Sequence, residues 1–200
     1  LAYALFLALT TVDASPPVGE TQVVEVDTAV DRHLTGLARR DTIAAAPMLV
    51  VAPEAGRSGT PSARTAPVIE IPGAGEVGPV GVPTGYPPTP EGAVGQLAAI
   101  TVAVLQGMSI QQTHAVHESW SMQGAPPAEE WALMSSVQAF LSSASGPEAG
   151  SPLTTVTVTP VAAQLKGIDS DDWVLACVLF DVQARAATTA RVAYGHCERM

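Results

Sequence analysis

One stretch of this chain, GVPTGYPPTPEGA at residues 81–93, separates two kinds of sequence. Before it the sequence consists mostly of Pro, Gly and small residues, and such chain buries too little apolar surface to offset its ordering entropy. After it come helical periodicity and then strand alternation. The sequence therefore predicts a linker, mostly disordered, over residues 15–80 and a folded domain over residues 81–200. Within the linker, residues 28–40 have the spacing of a short helix, with Leu34 and Leu37 on its apolar face.

The net charge of the chain argues against some classes of binding partner. The chain has 200 residues and a formal net charge of −10. Binding along nucleic-acid phosphates needs a basic stripe, and anionic lipid headgroups attract basic segments, so the charge argues against both partners. Hydrophobic residues make up 47% of the chain but aromatic residues only 4%, which predicts an aliphatic core.

The first residues favour export from the cytoplasm. The apolar run Leu1–Leu9 is shorter than the roughly 20 residues that span a bilayer, and Val12–Ala14 before a serine resembles a signal-peptidase site. We expect residues 1–14 to be the end of a signal peptide or membrane anchor. The alternative is a buried element of a cytosolic fold. At the other end a strand-like run stops at Met200 without a turn, so we expect the domain to be truncated at its C-terminus.

A helix start lies at the end of the stretch 81–93. Thr89 is a good N-cap, Pro90 suits the first helical position, and Glu91 favours the positive end of the helix dipole. This first helix should run to about residue 106. A second begins after Ser109 in a capping-box pattern and ends near Gly124. A third is predicted over residues 128–145 from apolar residues at helical spacing.

After the third helix, apolar side chains recur at every second position, which is the spacing of a strand. Residues 153–166 alternate apolar and hydroxylated side chains, residues 173–185 are strongly β-prone, and residues 189–200 form a return strand after a turn near Ala187. Three antiparallel strands after three helices predict an α+β domain with the helices packed on one face of the sheet.

The register of the last hairpin bears on the two cysteines. A turn near Ala187 places Cys177 directly opposite Cys197, at a distance that a disulfide can bridge. Two facing cysteines outside a reducing compartment should pair. Two independent buried thiols are the alternative. A metal site is disfavoured, because two thiolates need two further ligands and only His196 is near in sequence.

No motif in the sequence carries reaction chemistry. His114 and His117 share a helix face, but the pattern is not that of a zinc protease, and His114 can instead pair with Glu118. The acidic run 169–172 lacks the glycine and distal glutamate of a calcium loop. Residues 73–78 match G-x-G-x-x-G without the helix that would cradle a phosphate, and G-x-S-x-G is absent. We therefore assign no catalytic, cofactor-binding or metal residues and expect no cofactor.

Three tryptophans are the largest candidate anchors. Trp120, Trp131 and Trp173 are interpreted as core anchors between helices and sheet, with stacking on a ligand as the alternative.

Several stretches together resemble a known family. They are residues 81–87 with 89–93, Gln96–Ile100, Trp120–Gly124, Cys177–Phe180 and Cys197–Met200. They are similar to uncharacterised membrane-anchored proteins of integrative and conjugative elements in high-GC Gram-positive bacteria. The resemblance covers residues 81–200.

The resemblance implies a place in a conjugative, type IV secretion-like machine. In that family a transmembrane segment and a disordered linker precede the domain, and a further strand and a Trp-rich tail follow it. The order of helices and then a curved antiparallel sheet also resembles the cone fold of nuclear transport factor 2, which assembly factors of such machines use.

The leading functional hypothesis is a non-enzymatic, extracytoplasmic subunit of such a machine, anchored to the membrane or secreted, that contacts other subunits. A second hypothesis is a small-ligand-binding or enzymatic cone domain, which requires titratable residues that point inside. His114, His117 and Asp181 are its candidates. A third is a secreted cell-wall or lipid binder.

Overall fold

A computed structural model describes residues 33–47, 67–143, 155–170, 172–185 and 189–200. The predicted signal peptide or anchor at 1–14, the turn near Ala187 and the predicted end of the third helix lie outside the described residues. The elements in chain order are α1 (Gly36–Ala45), β1 (Glu76–Val77), a 3₁₀ turn (Pro79–Gly81), β2 (Pro83–Thr84), α2 (Pro90–Gly107), α3 (Ile110–Trp120), a second 3₁₀ turn (Ala128–Glu130), α4 (Ala132–Ser143), β3 (Thr155–Ile168), β4 (Val174–Arg185) and β5 (Thr189–Arg199).

The predicted α+β class is confirmed. β3, β4 and β5 form an antiparallel sheet in that order, and α2, α3 and α4 share a core with it. The starts of α2 and α3 follow from local chemistry, because the hydroxyls of Thr89 and Ser109 accept hydrogen bonds from the N–H groups of Gly92 and Gln112. Within the described ranges, none of the helices has both the length and the apolar character needed to cross a bilayer.

Two predicted helix boundaries were wrong. α3 ends at Trp120 rather than near Gly124, because the backbone of Ser121 is already extended, and Gly124 with φ of 88° serves a turn instead. The third helix does not begin at Ala128. A 3₁₀ turn there ends at Trp131, whose backbone is extended (φ −71°, ψ 133°), and α4 starts only at Ala132. This break directs the Trp131 indole toward the sheet, where it hydrogen-bonds Glu198.

The core lies between α2 and the helix-facing side of β4. Phe180 is fully buried there, and α2 contributes one continuous face of buried residues. The members of this cluster with the lowest exposure are Val82, Leu97, Val104, Val116, Leu133, Val137, Ala176 and Phe180. Apart from Phe180 they are aliphatic, in agreement with the low aromatic content.

Ordered chain begins before the predicted domain boundary. α1 lies inside the range predicted as linker, and residues 67–80 include β1, which pairs with β2. The helix predicted over residues 28–40 is shifted toward the C-terminus, and Leu37, which the prediction placed on its apolar face, is 74% exposed. Packing of Ile43 onto the sheet, rather than local periodicity, determines where this helix forms.

The hairpin register is confirmed at the cysteines. Cys177 and Cys197 are directly opposite each other, with Cα atoms 4.0 Å apart, and form a disulfide. This link joins the central strand to the edge strand β5, so it fixes the pairing on which the alternation of both strands depends.

Replacing both Cys177 and Cys197 with Ala should lower the free energy of unfolding by about 2–4 kcal/mol, because the loop closed by the disulfide no longer restrains the unfolded chain. The measurement is urea denaturation without reductant, with the wild type in reductant as the matched comparison. Reductant should destabilise the wild type by a similar amount and leave the double variant unchanged. Two free thiols in the denatured, unreduced wild type would contradict the assignment.

Candidate functional site

An apolar groove lies between α2 and β3 and has a volume of about 630 Å³. We call it the α2–β3 groove. It is lined by Val94, Gly95, Ala98, Ala99 and Val102 of α2, by residues 160–163 of β3, by Pro67, Val68, Ile69 and Ile71 of the preceding segment, and by Pro83, Tyr86 and Val178. None of these lining residues carries a charge.

The groove is open because the facing residues are small. The α2 side presents Ala98 and Ala99, whose side chains are short, and Gly95, against which Tyr86 and Ile71 pack. A glycine inside a helix costs about 1 kcal/mol relative to alanine, and here close approach explains it. A Cβ at Gly95 would lie 2.7 Å from the Tyr86 ring and 3.0 Å from Cγ2 of Ile71. The segment before β1 can therefore lie against α2 only where α2 has no side chain.

The rim of the groove exposes large apolar side chains beside a free strand edge. Val68 is 87% exposed and Val161 58% exposed. Val161 lies at the irregularity between Pro160 and Ala162, where the β3–β4 register shifts. In the described sheet β3 has a neighbour on one side only, so its other edge offers unpaired backbone groups.

A second feature is a polar cluster between β5 and the helices. Tyr194, His196 and Glu198 alternate along β5 and lie opposite Phe180, Val178 and Ala176 of β4. Because those β4 residues face the helices, the β5 side chains do so too. We call these three residues with Trp131 and Ser136 of the facing segment the β5 polar cluster.

The members of the cluster are paired with one another. Oε1 of Glu198 accepts a hydrogen bond from Nε1 of Trp131 at 2.8 Å and lies 2.9 Å from Nε2 of His196. The contact with Glu198 is close, but among the described residues the buried Nε2 of His196 has no hydrogen-bond partner. The hydroxyls of Tyr194 and Ser136 are 3.1 Å apart.

The surroundings lower the pKa of Glu198 and raise the pKa of Tyr194. Burial raises the pKa of Glu198, but the close contact with His196 and the hydrogen bond from Trp131 outweigh it, so the net pKa is lowered. Burial raises the pKa of Tyr194, and the negative charge of Glu198 adds to this, while the hydrogen bond to Ser136 opposes it. The cluster therefore holds Glu198 as a carboxylate and Tyr194 as a neutral phenol.

The β5 polar cluster has no open space beside it among the described cavities. None of its five residues lines the α2–β3 groove or the smaller cavity of about 340 Å³ near Trp173 and Met200. Trp131 is tied to the edge strand β5 by a charge-assisted hydrogen bond to Glu198, and α4 is tied to it by the contact between the hydroxyls of Ser136 and Tyr194.

The titratable residues named from the sequence lie elsewhere. His114 is half-exposed, and its Nε2 lies 3.8 Å from Glu129 rather than beside Glu118. His117 packs its ring against Trp131 with centroids 5.3 Å apart. Asp181 is paired with Arg191 at 2.7 Å, on the sheet face opposite the main helices. Among the described residues no group of three or more His, Cys, Asp or Glu is arranged to hold a metal ion.

The three tryptophans occupy three different environments. Nε1 of Trp120 donates to the carbonyl of Pro79 at 3.3 Å, in the turn before β2. Trp131 belongs to the β5 polar cluster. Trp173 is 7% exposed and lies in a small separate cluster with Ile43 and Leu175.

Sequence reasoning missed the β5 polar cluster, although a signal existed. The same register that paired Cys177 with Cys197 puts Tyr194, His196 and Glu198 on the face opposite to Cys197. These residues match no metal-site or catalytic motif, because they recur at every second position and their partners are distant in sequence.

No protein-family model, curated protein or solved structure matches this chain.

Glu198→Gln should make stability less dependent on pH in the acidic range. The folded-state pKa of Glu198 is lowered, so its contribution is present above the ordinary value of 4.5 and is lost as pH falls through the folded-state pKa. The wild type should therefore be the more stable at pH 7, and the difference should shrink with acidification. The measurement is urea denaturation across the acidic range.

Trp131→Phe is the matched variant for this experiment, because it keeps an aromatic ring and removes the N–H donor. In the wild-type background, Trp131→Phe should lower the free energy of unfolding at pH 7 more than it does at acidic pH. In the Glu198→Gln background the same substitution should lower the free energy of unfolding by less. A difference between wild type and Glu198→Gln that stays constant with pH would show that Glu198 is not held as described.

Proposed function

We propose that this protein is a non-enzymatic, extracytoplasmic subunit of a conjugative, type IV secretion-like apparatus. It acts by contact with other subunits and is tethered to the membrane or secreted. The resemblance of residues 81–200 to proteins of integrative and conjugative elements supports the assignment to that apparatus. A cone-like curvature of the sheet, as in nuclear transport factor 2, is part of the same proposal.

The observation that carries the contact function is the α2–β3 groove. An extended segment of another protein can add to a free sheet edge through backbone hydrogen bonds while alternate side chains enter an adjoining pocket. β3 offers the edge, and the small residues of α2 leave the space. The occupant is an extended apolar segment of another subunit.

Charge complementarity defines the flanks of that segment. The lining is uncharged, Glu70 lies between the lining residues Ile69 and Ile71, and the chain as a whole carries a net charge of −10. Basic residues beside the apolar segment would be attracted to this surface.

The Cys177–Cys197 disulfide supports the extracytoplasmic location. Disulfides persist in oxidising compartments and are rare in the reducing cytosol. This link ties the central strand to an edge strand in a domain with an aliphatic core, where an added covalent restraint contributes to stability.

A small-ligand or enzymatic role has less support from the geometry. Among the described titratable groups of β5 between helices and sheet, Glu198 contacts His196 and Trp131, and Tyr194 contacts Ser136. Neither described cavity reaches them.

The proposal is tested by a photo-crosslinking residue at position 161 in cells that carry the intact element. We expect secretion-machine subunits to be captured. Val161→Glu, tested with a crosslinker at Ala99, should lower the yield roughly tenfold or more, because an unpaired charge replaces an apolar contact.

Val192→Glu is the matched control. Val192 is 47% exposed on the other edge strand, so this charge should leave capture unchanged. Equal losses in the two variants would rule out the groove as the contact surface. Capture through position 161 of proteins unrelated to secretion would keep the groove and refute the conjugation assignment.

A further inference from the structure

The sheet has a second occupied face. Val174, Ala176, Val178 and Phe180 of β4 belong to the main core, whereas Trp173 and Leu175 belong to a separate cluster with Ile43 of α1. Because successive side chains of a strand point to opposite faces, α1 lies across the sheet from α2, α3 and α4. The surface under α1 is therefore separate from the α2–β3 groove.

The contact centres on one side chain in a notch. Ile43 is the one buried residue of α1 and is 3% exposed. Gly167 of β3 provides the space, since a Cβ there would lie 2.5 Å from Cγ2 of Ile43. Trp173 and Leu175 form the rest of the apolar surround. We call Gly167, Trp173 and Leu175, with Asp169, the α1 socket.

Charges orient the helix over the socket. Nε of Arg40 lies 2.7 Å from Oδ2 of Asp169, and Nε of Arg39 lies 3.5 Å from Oδ1. The guanidinium of Arg40 also stacks 5.6 Å from the centre of the Trp173 ring. The spacing of the two arginines and Ile43 puts basic and aliphatic groups on one side of the helix.

Two further polar contacts hold the middle and the C-terminal end of α1. Asp41 pairs with Arg199 of β5 at 3.2 Å. Nζ of Lys166 donates to the carbonyl of Ala44 at 2.6 Å, in the last turn. Free carbonyls at a helix C-terminus favour such a cation, and the partial burial that results lowers the pKa of Lys166.

α1 has little helical stability of its own. It has ten residues, Thr35 gives it no side-chain cap bond, and its first turn has no acidic residue. Gly36 at its start has φ of 57°. Helices of this length are marginal in water without packing. Its docking depends on a single buried side chain and on surface ion pairs, which are weakened by salt.

From these observations we propose that the α1 socket is a recognition site for a helical segment of the pattern Arg-Arg-x-x-Ile, and that α1 is its resident occupant in cis. A partner helix with this chemistry displaces α1 and binds the same notch, the same carboxylate and the same indole. The seated α1 defines the partner, because each feature of the socket is matched by a residue of α1. This site adds a second, regulated contact surface.

The test uses a fluorescent synthetic peptide of residues 33–47 and the full chain. The peptide should bind the Ile43→Asp chain roughly tenfold or more tightly than the wild type, because the resident helix no longer competes and apparent affinity follows the fraction of free socket. Anisotropy titration measures both affinities. Raising the salt concentration should weaken binding to the variant.

Three further variants keep the test decisive if Ile43→Asp misfolds. Arg39→Glu with Arg40→Glu also releases α1 and leaves the core cluster untouched, so it should bind the peptide as the first variant does. Gly167→Ala in that background fills the notch and should abolish binding. Asp169→Arg should abolish binding of the native peptide and restore it for a peptide that carries Arg39→Glu and Arg40→Glu.

Hydrogen exchange of the unmodified chain gives an independent readout. Amides of residues 36–45 should exchange much faster than those of α2, and faster still at high salt. Exchange as slow as that of α2 would overturn the proposal. Failure of the peptide to bind either released variant, or equal affinity for wild type and variants, would overturn it as well.

Discussion

Strand β4 determines the arrangement of everything packed on this sheet, because it is the one strand of the three with partners on both edges. Its alternation serves two separate clusters. Val174, Ala176, Val178 and Phe180 hold the three main helices, while Leu175 holds α1. A shift of one residue in either pairing would exchange these sets between the two faces. The disulfide at Cys177 prevents such a shift on the β5 side.

The two edges of the sheet have different chemistry on the helix side. Next to β3 the helix α2 presents alanines and a glycine, and space remains. Next to β5 the gap is filled by Tyr194, His196 and Glu198, which reach Trp131 and Ser136. The polar edge is filled because these side chains contact one another, whereas the apolar edge is open because the small side chains of α2 leave space unfilled. This difference is why we propose that a partner binds at the β3 edge.

Much of this fold could be predicted from local sequence. The strands followed from alternation, and the starts of α2 and α3 from Thr89 and Ser109, because caps and period depend on near neighbours. The break at Trp131 could not be predicted, since the contact that accompanies it is a hydrogen bond to Glu198, 67 residues away. The position of α1 depends in the same way on the Gly167 notch. The β5 polar cluster was within reach through the cysteine register, but the groove required knowledge of which α2 face meets β3.

The contact between Lys166 and α1 has a practical consequence. Lys166 is the only lysine in the sequence, and its amine is directed at the carbonyl of Ala44. Within these 200 residues, reagents that modify lysine side chains therefore act at a single place, the junction between α1 and β3. Acylation removes the charge and lengthens the side chain, so mild amine labelling is not neutral here. Immobilising the protein through its lysine would report on a molecule whose outer helix has lost one of its attachments.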